Sequence, residues 1–305
     1  MSAEDLEPPA VERESVALGI LYGCLACLMW GASPIVLRFT VQHDLPAGDI
    51  VAVRFGVAGL LLLPLVLRHG TAGLGWWRSL ILACGAGAPA TLINVVGLSI
   101  APADHSGVIG PSSVLLFSAL GAWLLLGERP GSMRLAGLAV VLLGVGLIGW
   151  ESLTNLGVET LEGDLLFVLG GVLWAGYTVA SRAWAVEPIH ATALVAVISM
   201  VIYLPLYLIF GAPTLHEAQI VEILMIAGVE GVLSSILALL FYTRAVKILG
   251  AGRGAVFLAL LPGLVVVMAI PTLGEIPTWL ELVGVATVSL GMIGALGLLE
   301  LRRAS

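Results

Sequence analysis

Two ionisable side chains lie inside otherwise apolar stretches of this 305-residue chain: Glu230 within positions 223–243, and Arg54 within positions 50–67. A charge at the centre of a membrane helix costs about 2.5–3.5 kcal/mol on insertion scales, so such groups face a protein interior or a wet cavity. A carboxylate at that depth is suited to hold a substrate amine or a coupling proton. A guanidinium fork is suited to clamp a substrate carboxylate. The bland alternatives are a protonated glutamate bonded to a helix neighbour, and an arginine that snorkels or caps carbonyls. At 1.5 Å per residue the two depths differ by about 8 Å, close enough for the side chains to pair. Ser234 sits four residues after Glu230 and Ala227 three before it, which puts a small, partly polar stripe on one helix face. Trp30 and Trp174 are deeper in apolar runs than the other tryptophans. With Tyr22, Tyr177, Tyr203 and Tyr242 they are candidates to line a cavity and stack on a substrate or its cation; packing is the alternative. Asn94 is a further candidate for the cavity wall, whereas Ser112, Ser113 and Ser118 are expected to bond their own helix carbonyls.

These groups need elements to hold them, and composition narrows the choice. Hydrophobic residues make up 59% of the chain and charged residues 11%, with a mean hydropathy of +1.09. A soluble globule carries about 25% charged residues, and a disordered chain is poor in apolar ones. The net charge of −7 leaves no basic stripe for nucleic acid. A polytopic membrane protein remains. Ten apolar runs can be read, at 15–37, 50–67, 79–103, 106–127, 135–150, 165–181, 191–215, 223–243, 254–274 and 282–299. Each is continuously apolar, not alternating, so helices are expected and not a barrel. The predicted fold is an all-α integral membrane protein of ten transmembrane helices.

If the N-terminus is cytoplasmic, 11 Lys and Arg fall in loops and tails on the inner side and only Arg38 on the outer. This bias predicts cytoplasmic termini in a plasma membrane, which for a bacterium is the inner membrane. Residues 1–14 are expected to be a disordered cytoplasmic tail, 151–164 an acidic external loop, and 300–305 a short cytoplasmic tail.

The two halves, 15–150 and 165–299, repeat each other. Trp30-Gly31-Ala32 with Arg38 recurs as Trp174-Ala175-Gly176 with Arg182, and Val51-Ala52-Val53 as Val195-Ala196-Val197. Leu63-Pro64-Leu65 recurs as Leu204-Pro205-Leu206. Leu126-Gly127-Glu128 recurs as Leu273-Gly274-Glu275, and Gly137 and Gly144 recur as Gly284 and Gly291. Five spans are an odd number, so the second repeat is expected to insert in the opposite sense, as in carriers built from inverted repeats around a central site. The position equivalent to Arg54 is Ile198.

Trp30-Gly31 with Arg38, Arg54-Phe55, and the two Leu-Gly-Glu turns resemble the EamA family of the drug/metabolite transporter superfamily, over nearly the whole chain. The resemblance implies a ten-helix inverted-repeat carrier of small polar metabolites, often an exporter of amino acids or related compounds. The alternatives are a carrier of drugs or sugar conjugates and a passive channel. An intramembrane enzyme finds little support, since no second carboxylate or histidine shares Glu230's depth. No nucleotide loop, H-E-x-x-H or G-x-S-x-G occurs. The five histidines lie at span ends, so neither metal nor cofactor is expected. Asp104 and His105 read as an interfacial turn first and an outer gate second. Cys24 and Cys27 read as small buried hydrophobes, and Gly19 with Gly23 as a close-packing face. The partners expected are the bilayer and a small-molecule substrate, with the chain a monomer or weak dimer.

Overall fold

The computed structural model describes residues 16–211 and 213–296, and both predicted tails lie outside this range. The described residues are almost wholly helical. The helices are α1 (Val16–Gln42), α2 (Ala47–His69), α3 (Trp76–Ala86), α4 (Ala88–Ile100), α5 (Ala103–Leu126) and α6 (Ser132–Glu151) in the first half. The second half holds α7 (Val158–Ala183), α8 (Pro188–Phe210), α9 (Ile220–Met225), α10 (Ala238–Leu249), α11 (Ala251–Leu273) and α12 (Trp279–Ala295). Two π-helical segments, Ser152–Leu156 and Ile226–Leu237, join α6 to α7 and α9 to α10. Among the described residues nine stretches are long and apolar enough to cross a bilayer, with α3 and α4 forming one and α9 to α10 another. The tenth, α12, is apolar but only 17 residues long.

Packing follows the sequence repeat. The first helix of each half lies on the third and fourth spans of the other: α1 on α10 and α11, α7 on α4 and α5. Like spans also meet, α2 on α8 and α6 on α12. Large apolar side chains such as Leu125, Phe210 and Leu290 point outward, while the helix interfaces are built from Ala, Gly and Val. Apolar lipid gives no hydrophobic drive between helices, so close van der Waals contact between small residues holds them together. The α6–α12 seam is the tightest case. Gly137 lies against the backbone of Gly291 and Ala295, and Gly144 against that of Gly284 and Val288. These four glycines are the repeat mates noted in the sequence. The Gly19 and Gly23 face of α1 is also filled from within the chain, by Leu249 and Phe257.

Cross-contacts sort the helix ends into two faces. At one, Arg38 pairs with Glu275, Ser152 with Asp164, and Thr214 with Asp49. At the other, Arg182 pairs with Glu128 and Trp77 meets Trp184. The segment 151–164, expected to be a loop, is helical apart from Gly157. Asp164 is buried in helix α7, satisfied by Ser152 Oγ at 2.5 Å and by His105, so it packs inside the bundle, while Glu159 and Glu162 remain exposed.

The third span is broken at Gly87, two residues before Pro89. The Ser199 hydroxyl of α8 fills the space a Cβ would need there, 2.2 Å from its ideal position, and accepts from Ala88 N at 3.1 Å. The new helix start at Ala88 frees backbone N–H donors, and membrane interiors tolerate that only where a neighbour re-satisfies them. Ser199→Ala is therefore expected to destabilise the protein by about 1–3 kcal/mol, the cost of an unpaired buried amide, read as a lowered melting temperature in detergent.

Candidate functional site

The site grows from the π-helical segment of the eighth span. Most π-helix occurs as single-turn bulges, frequently at functional sites; here twelve residues adopt it. Carbonyls of this segment accept from side chains as well as from the backbone. Ser235 Oγ donates to Glu230 O at 2.6 Å, and the Trp30 indole Nε1 donates to Ser234 O at 3.2 Å across from α1. Gly231 lets α2 approach closely, since a Cβ there would meet Val57 at 2.8 Å. That approach brings Arg54 of α2 onto Glu230, and Arg54 NH1 donates to Glu230 Oε2.

Glu230 is 0% exposed and the Arg54 side chain 13%. The carboxylate therefore lies inside protein, in closed contact with its partner and without access to a water-sized space; in this conformation there is no hydrated chamber around it. The pairing is incomplete. Glu230 Oε1 and Arg54 Nε are both buried without a hydrogen-bond partner. In low dielectric an unmet charge-bearing atom is costly.

The other candidates divide into two groups. Ser234 is buried in the π segment, Tyr242 tilts against Trp30 with ring centroids 5.3 Å apart, and Tyr22 stacks on Phe241 at 5.6 Å. These lie along the contact of α1 with the π segment and α10. The remaining four have other engagements. Trp174 is 39% exposed on the outside of α7, edge-on to Tyr177, so it does not mirror Trp30 in a shared lining. Tyr177 packs on Gly85 of α3. Asn94 donates to Ala90 O in its own helix and lies against Gly170. Tyr203 donates to Gly48 O at the start of α2. The two tryptophans differ in what they face: Trp30 donates to Ser234 O of the π segment, whereas Trp174 lies on the exposed side of α7.

Sequence reasoning understated a second polar cluster. Asp104 and His105 belong to the first turn of α5 and are buried, not placed in an interfacial turn. His105 Nδ1 lies 2.8 Å from Asp164 Oδ1 of α7, and Nε2 lies 2.8 Å from Glu281 Oε1 of α12. Glu281 is held by a capping box with Thr278. Ligand atoms of Asp104, His105 and Glu281 fall within 4.8 Å of one another, but both ring nitrogens are already engaged, so a cation there would compete with the carboxylates. The signal in the sequence was an acidic residue within the first two turns of each of three helices; nothing in the sequence tied them to one another.

The two Leu-Gly-Glu turns are alike in detail. Gly127 and Gly274 end α5 and α11 in the left-handed conformation, at φ 72° and 70°, which glycine adopts without penalty. Each turn presents its glutamate to the first helix of the other half: Glu275 to Arg38 and Glu128 to Arg182.

Comparison with known proteins agrees with this architecture. An "Uncharacterized transporter" of Archaeoglobus fulgidus is 25% identical over 269 residues, spanning 85% of this chain and 91% of that protein. "Uncharacterized transporter YyaM" of Bacillus subtilis is 22% identical over 289 residues, spanning 89% and 91%. One solved structure, described only as the crystal structure of a protein, superposes with a TM-score of 0.59 at 20% identity, over 95% of this chain and all of that one. Residues 17–150 and 161–297 each match the EamA-like transporter family. With two matched repeats covering most of its length, the chain belongs to that family, and so to the drug/metabolite transporter superfamily.

Proposed function

We propose that the protein is a secondary carrier of small polar solutes, that its two five-span halves are inserted in opposite senses and work by alternating access, and that zwitterions of the amino-acid type fit its site best. Opposite insertion is supported by the odd number of spans per repeat and by the exchange of packing partners between the halves. The 11-to-1 distribution of Lys and Arg favours cytoplasmic termini in a bacterial inner membrane, with the Arg38 face outside. Transport without chemistry, and export as its direction, are part of this reading.

One observation carries the substrate class: the buried Arg54–Glu230 pair with an unmet atom on each partner. A zwitterion brings its own carboxylate and ammonium. Inserted between the two side chains, it exchanges one ion pair for two and satisfies both unmet atoms. A solute with only one charge would leave one side chain unpaired. Coupling to a proton is part of the proposal, because a proton on Glu230 also releases Arg54.

The test is counterflow in proteoliposomes loaded with unlabelled amino acids. Labelled zwitterions should accumulate, while the matching amines and carboxylic acids should not. Glu230→Gln should cut uptake about tenfold or more, since bonds to charged groups are worth about 1.5–3 kcal/mol, and should remove the response to an imposed pH gradient. Unchanged uptake in that variant overturns the proposal.

A further inference from the structure

The two arginine–glutamate pairs at opposite faces are repeat mates of one another, but they are not in the same condition. On the Arg38 face the pair is tight. Arg38 Nε meets Glu275 Oε1 at 2.8 Å, Arg38 NH1 donates to Leu98 O at 2.5 Å, and Glu275 Oε2 accepts from Ala103 N at 2.9 Å. Four elements are tied together there: α1, the turn after α11, and the facing ends of α4 and α5. The side chains are 16% and 17% exposed. On the opposite face Arg182 NH2 meets Glu128 Oε1 at 2.6 Å, and the side chains are 52% and 42% exposed. Among the described residues no helix end joins that pair. A cleft of about 280 Å³ opens beside it, lined by Tyr177, Ser181, Arg182 and Val186 among others. Gly250, which stands 147 residues after Ala103 as Glu275 stands after Glu128, gives its amide to Val246 O within its own half instead.

We infer that the two pairs are alternating latches: Arg38–Glu275 holds the outer face shut in the conformation described here, and Arg182–Glu128 tightens in the same way, taking up the α10–α11 junction near Gly250, when the inner face shuts. The inference rests on the alternating-access reading and adds to it the residues that hold each state and the state in which the chain is found. Surface ion pairs contribute little, so the exposed pair does not hold its face closed. The less exposed pair, with its two extra backbone bonds, is of the stronger, charge-assisted kind.

The experiment uses the full chain with Cys24, Cys27 and Cys84 replaced by alanine and Ser234→Cys as a reporter. Labelling by a membrane-impermeant thiol reagent is timed in right-side-out and inside-out vesicles. The parent should label faster from the inner face. Arg38→Ala and Glu275→Gln should raise the outer-face rate about fivefold or more, the low end of measured couplings between sites. Arg182→Ala and Glu128→Gln should lower it. The charge-exchanged double variant Arg38→Glu with Glu275→Arg should return toward the parent, and Arg38→Lys should lie between. Effects of the same sign from both pairs, or none, overturn the latch assignment while leaving the carrier reading intact, provided the parent labels from both faces. A parent labelled from one face only, without counterflow, overturns the alternating-access reading itself. Misfolding is recognised separately, by loss of labelling from both faces together with loss of a monodisperse peak in detergent.

Discussion

Arg54→Met should lower stability by about 3–5 kcal/mol and abolish transport, while the double variant Arg54→Met with Glu230→Leu should regain most of the stability and none of the transport. Removing one partner of a buried ion pair leaves the other charged and unpaired. Replacing both with apolar groups of similar volume is often neutral or stabilising. Glu230 has no exposure with which to recover solvation, so the single variant lies at the severe end. Thermal unfolding in detergent and counterflow in proteoliposomes measure the two quantities separately. If the pair serves only to hold α2 against the π segment, the double variant restores both. If it binds solute, stability and transport part company, and only in that case is the buried pair a functional site.

Gly291→Leu on α12 should prevent folding, and Gly146→Leu, on the facing seam helix α6, should leave the protein intact. A Cβ at Gly291 would lie 2.6 Å from Val141 N and 2.9 Å from Gly137 O. Both are backbone atoms, which cannot rotate away as a side chain can. Overpacking a core costs about 1–3 kcal/mol where side chains adjust; here α6 and α12 would have to separate along the seam, and the loss should exceed that range. Gly146 has no atom near its absent Cβ and points outward. The contrast is checked by yield of monodisperse protein from membranes for each variant, with the mates Gly144→Leu and Gly284→Leu expected to behave like Gly291→Leu.

Much of this architecture was legible from residue order because the bilayer imposes simple requirements. Long apolar runs marked the spans, and a near-constant offset between Trp-Gly and Leu-Gly-Glu motifs marked the two halves. Glu230 and Arg54 stood out because charge is rare at that depth, and the structure does bring them together. The features missed depend on contacts between distant segments or on backbone geometry without a periodic signature. A π-helical stretch has the same apolar composition as an α-helical one, so nothing in Ile226–Leu237 announced it. The repeat suggested that Trp174 would act like Trp30, but local identity does not carry the opposing surface with it, and Trp174 faces outward. Asp164 read as a loop acid because its partners, Ser152 and His105, are contributed by other elements.

Ser199, which closes the break in the third span, follows directly after Ile198, the position equivalent to Arg54. Counting back from Glu230 by the offsets of the repeat, 141 to 147, reaches positions 83–89, the same break. The two halves thus carry one joint twice. In one copy a hydroxyl and an amide settle each other permanently; in the other, opposed charges are left with an atom apiece to spare. The repeat supplies two such elbows, one closed by a neutral hydrogen bond and the other by an ion pair with an unmet atom on each side. On the carrier reading proposed above, engineering that aims to alter which cargo is accepted should work on the charged elbow, and the neutral one marks where a second, independent responsiveness could be installed.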